Sequence, residues 1–172
     1  MAEKKKAKKK PMYRGRPIVL DAASIMGLSK NDVARMHQIA AWFDEWANRL
    51  GLHPDTRIVI RYVGDPVDET AGAPQKYLML CDNAIADYGQ WRLDVSSRCL
   101  SAKRDAWRES DVIHEVLHML IYPLYTRLSY YIVDESSRDL LSRAEESLVT
   151  ALEIAIVRLA YGRDCSMPPE NS

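Results

Sequence analysis

The chain has few cysteines and no long apolar run, and each shortage excludes whole classes of protein. Its three cysteines, Cys81, Cys99 and Cys165, are an odd number without CxxC spacing, which argues against a disulfide framework and against a cysteine-based zinc knuckle. No stretch approaches the roughly 18 to 20 apolar residues of a membrane span, and no apolar region follows the N-terminal lysines to complete a signal peptide. We therefore expect a protein of a reducing cytoplasm without a membrane partner.

Net charge is also absent, but the zero total hides an asymmetry along the chain. Residues 1–16 hold eight of the 24 basic residues and one of the 24 acidic ones, which leaves 16 basic against 23 acidic residues in the remainder. The basic residues of this tail are Lys4, Lys5, Lys6, Lys8, Lys9, Lys10, Arg14 and Arg16. Such a segment buries too little apolar surface to order itself, so we expect a disordered tail that contacts nucleic acid weakly or only adds solubility.

The rest of the chain suits one domain. With 172 residues, 47% of them apolar, one core can form but hardly two. The expected organisation is a tail at 1–16, a single domain at 17–165 and a frayed end at 166–172. This length leaves room for one active site.

Hydrophobic periodicity predicts the order helix, strands, helix, helix. A first helix begins after Ser29, which with Asp32 resembles a capping box, and ends near Gly51. Residues 57–63 and 76–81 are β-rich, and residues 91–95 alternate as a half-exposed third strand. Helical patterns follow from about residue 104 to Tyr122, stopping before Pro123, and from residue 137 to 161. The expected class is α+β, with a small three- to four-stranded sheet packed on the helices.

The strongest functional signal is the segment HEVLH at residues 114–118. His114 and His118 are four residues apart, so on a helix both imidazoles project from one face and can bind one tetrahedral zinc ion. Glu115, about 100° round the helix, can reach a metal-bound water and act as its general base. Neither His37 nor His53 follows this motif.

A catalytic zinc usually has three protein ligands and one open position. The third ligand is expected in Glu145 or Glu146, which lie on the next helix, 27 and 28 residues after His118. A helix packed against the HEVLH helix can deliver either carboxylate. Spacing alone leaves the choice open.

HEVLH followed by a glutamate on a later helix resembles the gluzincin branch of the zincin metallopeptidases. More narrowly, HEVLHMLIYPL and EESLVTALE resemble small metallopeptidases encoded by phages and prophages, which read roughly HELLHxxLxPL and EExxVxxL. The likeness covers about residues 76 to 160. It implies a zincin-like minidomain in the cytoplasm of a bacterial or phage-infected cell, with zinc as cofactor and a peptide or protein as substrate.

The resemblance also implies which residues bind the metal, support its ligands and bind the substrate. The gluzincin pattern ExxxD favours Glu146 as the third ligand, because Glu146 places Thr150 at the supporting position whereas Glu145 places Val149 there. Thr150 would then assist a ligand histidine in place of the family's aspartate. The family binds substrate along an edge strand before the active helix, a role that residues 91–100 would take here. Five residues are candidates to stabilise the oxyanion, with no assignment among them: Tyr122, Tyr125, Arg127, Tyr130 and Tyr131.

Two classes of function follow. The first is a zinc-dependent hydrolase, a peptidase that uses zinc-activated water with Glu115 as general base. The alternative is a non-catalytic metal-bearing regulatory or binding protein whose basic tail contacts nucleic acid. A peptidase recruited to DNA by the tail would combine them.

Overall fold

The computed structural model describes residues 17–64, 79–85, 90–101 and 105–162. The predicted basic tail, the predicted frayed end and Cys165 lie outside these residues. The described strands are β1 (Ile18–Leu20), β2 (Arg57–Gly64), β3 (Met79–Ile85) and β4 (Gln90–Ser96). The helices are α1 (Lys30–Arg49), α2 (Ser97–Ser101), α3 (Asp105–Tyr130) and α4 (Glu135–Tyr161). The predicted α+β class with a small sheet is confirmed.

Helix α1 begins where the capping pattern places it. The Ser29 hydroxyl accepts a hydrogen bond from the Asp32 N–H at 3.1 Å and donates one to the Asp32 carboxylate at 2.7 Å. Because the first N–H groups of a helix have no intrahelical partner, this exchange satisfies one of them and fixes the start of α1. The buried side of α1 carries Met36, Ile39, Ala40, Phe43, Trp46 and Ala47, which is the helical spacing that the sequence predicts.

The four described strands form one mixed sheet in the order β1-β2-β4-β3. β1 and β4 both run parallel to β2, whereas β3 pairs with β4 in the antiparallel sense. The prediction that residues 91–100 form an edge strand is wrong, because β4 pairs on both sides and residues 97–101 are helix α2. Within the described sheet the edges are β1 and β3.

One polar residue of β4 is more deeply buried than its alternating pattern predicts. Asp94 is only 4% exposed, and Arg61 on β2 donates to both of its carboxylate oxygens at 2.5 and 2.8 Å. The polar residues of β4 lie on the opposite sheet face from its apolar residues. That face remains partly open to solvent, because the Arg61 and Arg92 side chains beside Asp94 are each 37% exposed and Leu80, which pairs with Asp94, is 43% exposed. The alternation therefore marks a half-exposed strand, on which Asp94 is buried by its ion pairs.

Helix α3 does not stop at Tyr122. It continues through Pro123 to Tyr130, and α4 begins at Glu135, so the connection between the two predicted helices is only residues 131–134. Pro123 removes one backbone donor from the helix. Packing next to Pro123 offsets the lost hydrogen bond. Tyr122 contacts Trp91 edge-to-face, with ring centroids 5.1 Å apart.

Helices α3 and α4 form a hairpin, in which α3 packs on the sheet and α4 packs on α3. The core-facing side of α3 is apolar and includes the fully buried residues Val112, Ile113 and Val116. In α4 only Val149 and Val157 are buried. The N-terminus of α4 is capped by Asp134, which accepts from the Ser137 N–H at 2.8 Å. No helix in the described part of the chain is long and apolar enough to cross a lipid bilayer.

Candidate metal centre

The two histidines of the HEVLH segment meet one glutamate of α4. The Nε2 atoms of His114 and His118 lie 3.1 Å apart. The Glu146 carboxylate places one oxygen 3.2 Å from the His114 Nε2 and the other 3.3 Å from the His118 Nε2. These three residues form the one group in the described residues whose ligand atoms could hold a metal ion together.

The other ring nitrogen of each histidine contacts a second glutamate of α4. The His114 Nδ1 lies 2.9 Å from Glu153, and the His118 Nδ1 lies 3.0 Å from Glu145. An ionised carboxylate only accepts hydrogen bonds, so both Nδ1 atoms must be the donors. In a neutral imidazole the opposite nitrogen then carries a lone pair, and both lone pairs point toward Glu146.

With both imidazoles neutral, three acceptors therefore converge without a donor among them. Two imidazole lone pairs and a carboxylate repel one another at 3.1 to 3.3 Å unless a cation lies between them. Ligands about 2.0 to 2.1 Å from a tetrahedral zinc are separated by about 3.3 Å. The observed separations match that spacing, so the residues present fit a zinc ion.

In the absence of a metal, the same cluster attracts a proton. Burial lowers the pKa of His114, but the hydrogen bond to Glu153 and the negative charges of Glu115 and Glu146 outweigh burial and raise the pKa above its ordinary value. Metal binding at this site therefore competes with protonation of His114.

The structure brings some of the expected site residues together and separates others. His114, His118 and Glu146 converge, whereas Glu145 turns to the far side of the His118 ring. Glu115 lies beside this group without belonging to it, and it is only 7% exposed. Thr150 is exposed, and within the described residues it makes no hydrogen bond to either histidine. His53 lies in a separate pocket with Trp91, Tyr122 and Arg127.

Two acidic residues of this centre were absent from the sequence-based expectations. Glu153 lies seven residues after Glu146, two helical turns along α4, so both lie on the same side of that helix. Asp111 lies four residues before Glu115 on α3, and its Oδ2 atom is buried without a hydrogen-bond partner in the described part of the chain. Their spacing from Glu146 and Glu115 is the signal that could have identified both.

The carboxyl group of Asp111 has a raised pKa. Burial, with added repulsion from Glu153 and Glu115, raises the pKa of Asp111 from 3.8 to about 7. An unfolded chain loses this proton near pH 4 while the metal-free folded chain keeps it to about pH 7, so folding stability falls as the pH rises through this window.

We expect Asp111→Asn to remove most of that pH dependence in the metal-free protein. At 1.36 kcal/mol per pKa unit, the full effect is at most about 4 kcal/mol, present above pH 7 and absent below about pH 4. Urea unfolding at pH 4 and pH 8 measures it, with Asp139→Asn on α4 as a control. Parallel changes in stability for the wild type and Asp111→Asn would contradict the expectation.

Comparison of the chain with models of protein families, with curated proteins and with solved structures gave no match.

Proposed function

We propose that the chain is a zinc-dependent hydrolase that acts as a peptidase. The observation that carries this proposal is the meeting of three acceptors, the Nε2 atoms of His114 and His118 and the carboxylate of Glu146, at 3.1 to 3.3 Å. Two imidazoles and one carboxylate are a common ligand set for catalytic zinc, and they leave a fourth position free. Imidazole also binds other transition metals, so the identity of the ion is part of the proposal.

The residues beside the ligands suit hydrolysis. A zinc ion bound here would supply a Lewis acid that lowers the pKa of water toward neutrality. Glu115 would act as the general base toward the attacking water and would donate that proton to the leaving amine. Its burial supports this role, because a carboxylate shielded from solvent exchanges protons with the reacting groups more readily than with bulk water.

A zincin-like arrangement is the second part of the proposal. It is supported by the HEVLH segment on α3, the carboxylate ligand on α4 and a mixed sheet whose edge strand β3 is antiparallel to β4. In this proposal the substrate binds along strand β3, and not along the residues 91–100 that the resemblance implies. Its outer edge faces no other described strand, and such an edge can bind an extended peptide by main-chain hydrogen bonds.

The metal content of purified variants tests the proposal. We expect about one zinc per wild-type chain, and loss of most of it in His114→Ala, because the site then keeps two ligands of three. Elemental analysis after dialysis against trace zinc gives the result directly. His53→Ala is the matched control, since His53 lies in a separate pocket.

Two outcomes would overturn the proposal. A wild-type protein that binds no zinc would remove the metal centre. Equal loss of zinc in His53→Ala and His114→Ala would mean that the metal is bound elsewhere or nonspecifically.

A further inference from the structure

Helix α4 supplies more than a metal ligand. Beside Glu146 it presents Glu145 to the His118 Nδ1 at 3.0 Å and Glu153 to the His114 Nδ1 at 2.9 Å. The side chains of Glu145 and Glu153 are only 15% and 18% exposed, whereas Glu146 is 57% exposed. Each histidine therefore lies between two carboxylates, one on each ring nitrogen.

We propose that Glu145 and Glu153 are a matched pair of positioning residues that hold both ligand histidines in the orientation and tautomer that bind the metal. This proposal rests on the metal centre of the proposed function. A carboxylate on Nδ1 keeps the proton there and so leaves the Nε2 lone pair free for the ion. It also increases the basicity of the ring, which strengthens the bond to the metal.

The spacing on the two helices explains why two glutamates are needed. Glu145 and Glu153 are eight residues apart, about 12 Å along α4, so one cannot serve both rings. His114 and His118 are four residues apart, about 6 Å along α3. Glu145 pairs with the later histidine and Glu153 with the earlier one, as expected for two antiparallel helices.

This arrangement differs from the one that the motif resemblance implies. There, a residue four positions after the ligand glutamate supports one histidine, which here would be Thr150. Thr150 is exposed, while the contacts come from one position before Glu146 and seven positions after it. The structure thus assigns the support to two residues that the ExxxD pattern does not include.

A purely structural role is the competing explanation, because the same ion pairs join α4 to α3. The two roles differ in what a glutamine replacement does. Glutamine keeps an acceptor for the Nδ1–H and a similar shape but loses the charge, whereas alanine loses both. A positioning role predicts that metal affinity falls in the order wild type, Gln variant, Ala variant, with little change in the fold.

The experiment is a zinc competition titration with a chromophoric chelator on the full chain. We expect Glu145→Ala and Glu153→Ala each to weaken zinc binding about 10- to 100-fold, and the Gln variants to weaken it less. Thr150→Ala is the matched control on the same helix, with affinity expected to equal that of the wild type. Cobalt substitution adds a second readout, because a displaced histidine alters the visible spectrum of the bound ion.

The outcomes separate this inference from the proposed function. If the wild type binds zinc tightly and both Ala variants bind it equally well, the positioning role is wrong while the metal centre stands. If Thr150→Ala alone weakens binding, the support follows the ExxxD pattern and the inference is also wrong. If the wild type binds no zinc, the proposed function is wrong, and the positioning role that rests on it is wrong as well. Should an Ala variant fail to fold, its Gln counterpart and the cobalt spectrum still decide the question.

Discussion

Glu115→Gln should keep its zinc and lose hydrolysis. Glutamine has nearly the shape of glutamate, so it fits the buried position, which is 7% exposed, and the three ligand residues are unchanged. It cannot accept a proton from water, and loss of a positioned general base typically costs about 10²- to 10⁴-fold in rate. Elemental analysis and turnover of a mixed peptide library, followed by mass spectrometry, measure the two properties on one sample.

The control for this variant is Glu135→Gln in the first turn of α4. Glu135 is exposed and remote in sequence from the ligands, so both zinc content and turnover should match the wild type. A Glu115→Gln protein with wild-type turnover would contradict the role of Glu115. Loss of zinc together with turnover would show instead that Glu115 helps to build the site.

Removal of the metal should loosen helix α4 before the rest of the molecule. Only Val149 and Val157 of its 27 residues are buried, so apolar packing on α3 is sparse. Without an ion, the carboxylates of Glu146 and Glu153 and the nearby carboxyl group of Asp111 have less positive charge to balance them. A ligand at about 1,000 times its Kd stabilises the bound state by about 4 kcal/mol, and most of that effect should appear in the α3–α4 contact.

Hydrogen exchange measures this directly. Peptides from α4 should exchange faster after treatment with a chelator. Peptides from α1 and β4 should change little, because these elements carry fully buried residues such as Phe43 and Leu93. Readdition of zinc should restore protection of α4. Equal exchange of α4 in both states would mean that the metal does not hold the helix.

Local patterns predicted the helices well because their signals lie within a few residues. The Ser29 cap, the apolar positions of α1 and the HEVLH spacing depend on neighbours one to four residues away. The same reasoning placed Glu145 and Glu146 on the helix that contacts the histidines. It could not choose between them, because that choice depends on how α4 is rotated against α3.

The errors came from contacts between residues far apart in the chain. The position of β4 in the centre of the sheet depends on its pairing with β2, some 33 residues earlier, and nothing in residues 91–95 encodes that partner. The passage of α3 through Pro123 depends in part on Tyr122 packing against Trp91. Glu153 belongs to no recognised motif, and its contact with His114, 39 residues away, depends on how α4 packs against α3.

All residues of the candidate centre come from one short region of the chain, the α3–α4 hairpin. Every carboxylate and imidazole discussed for it lies between residues 111 and 153, and the two helices are joined by only the four residues 131–134. Closing so short a turn costs little chain entropy, whereas the parallel pairing of β1, β2 and β4 requires distant segments to meet. Contacts of short sequence separation form fastest. We therefore expect the metal ligands to meet early in folding, before the sheet is complete.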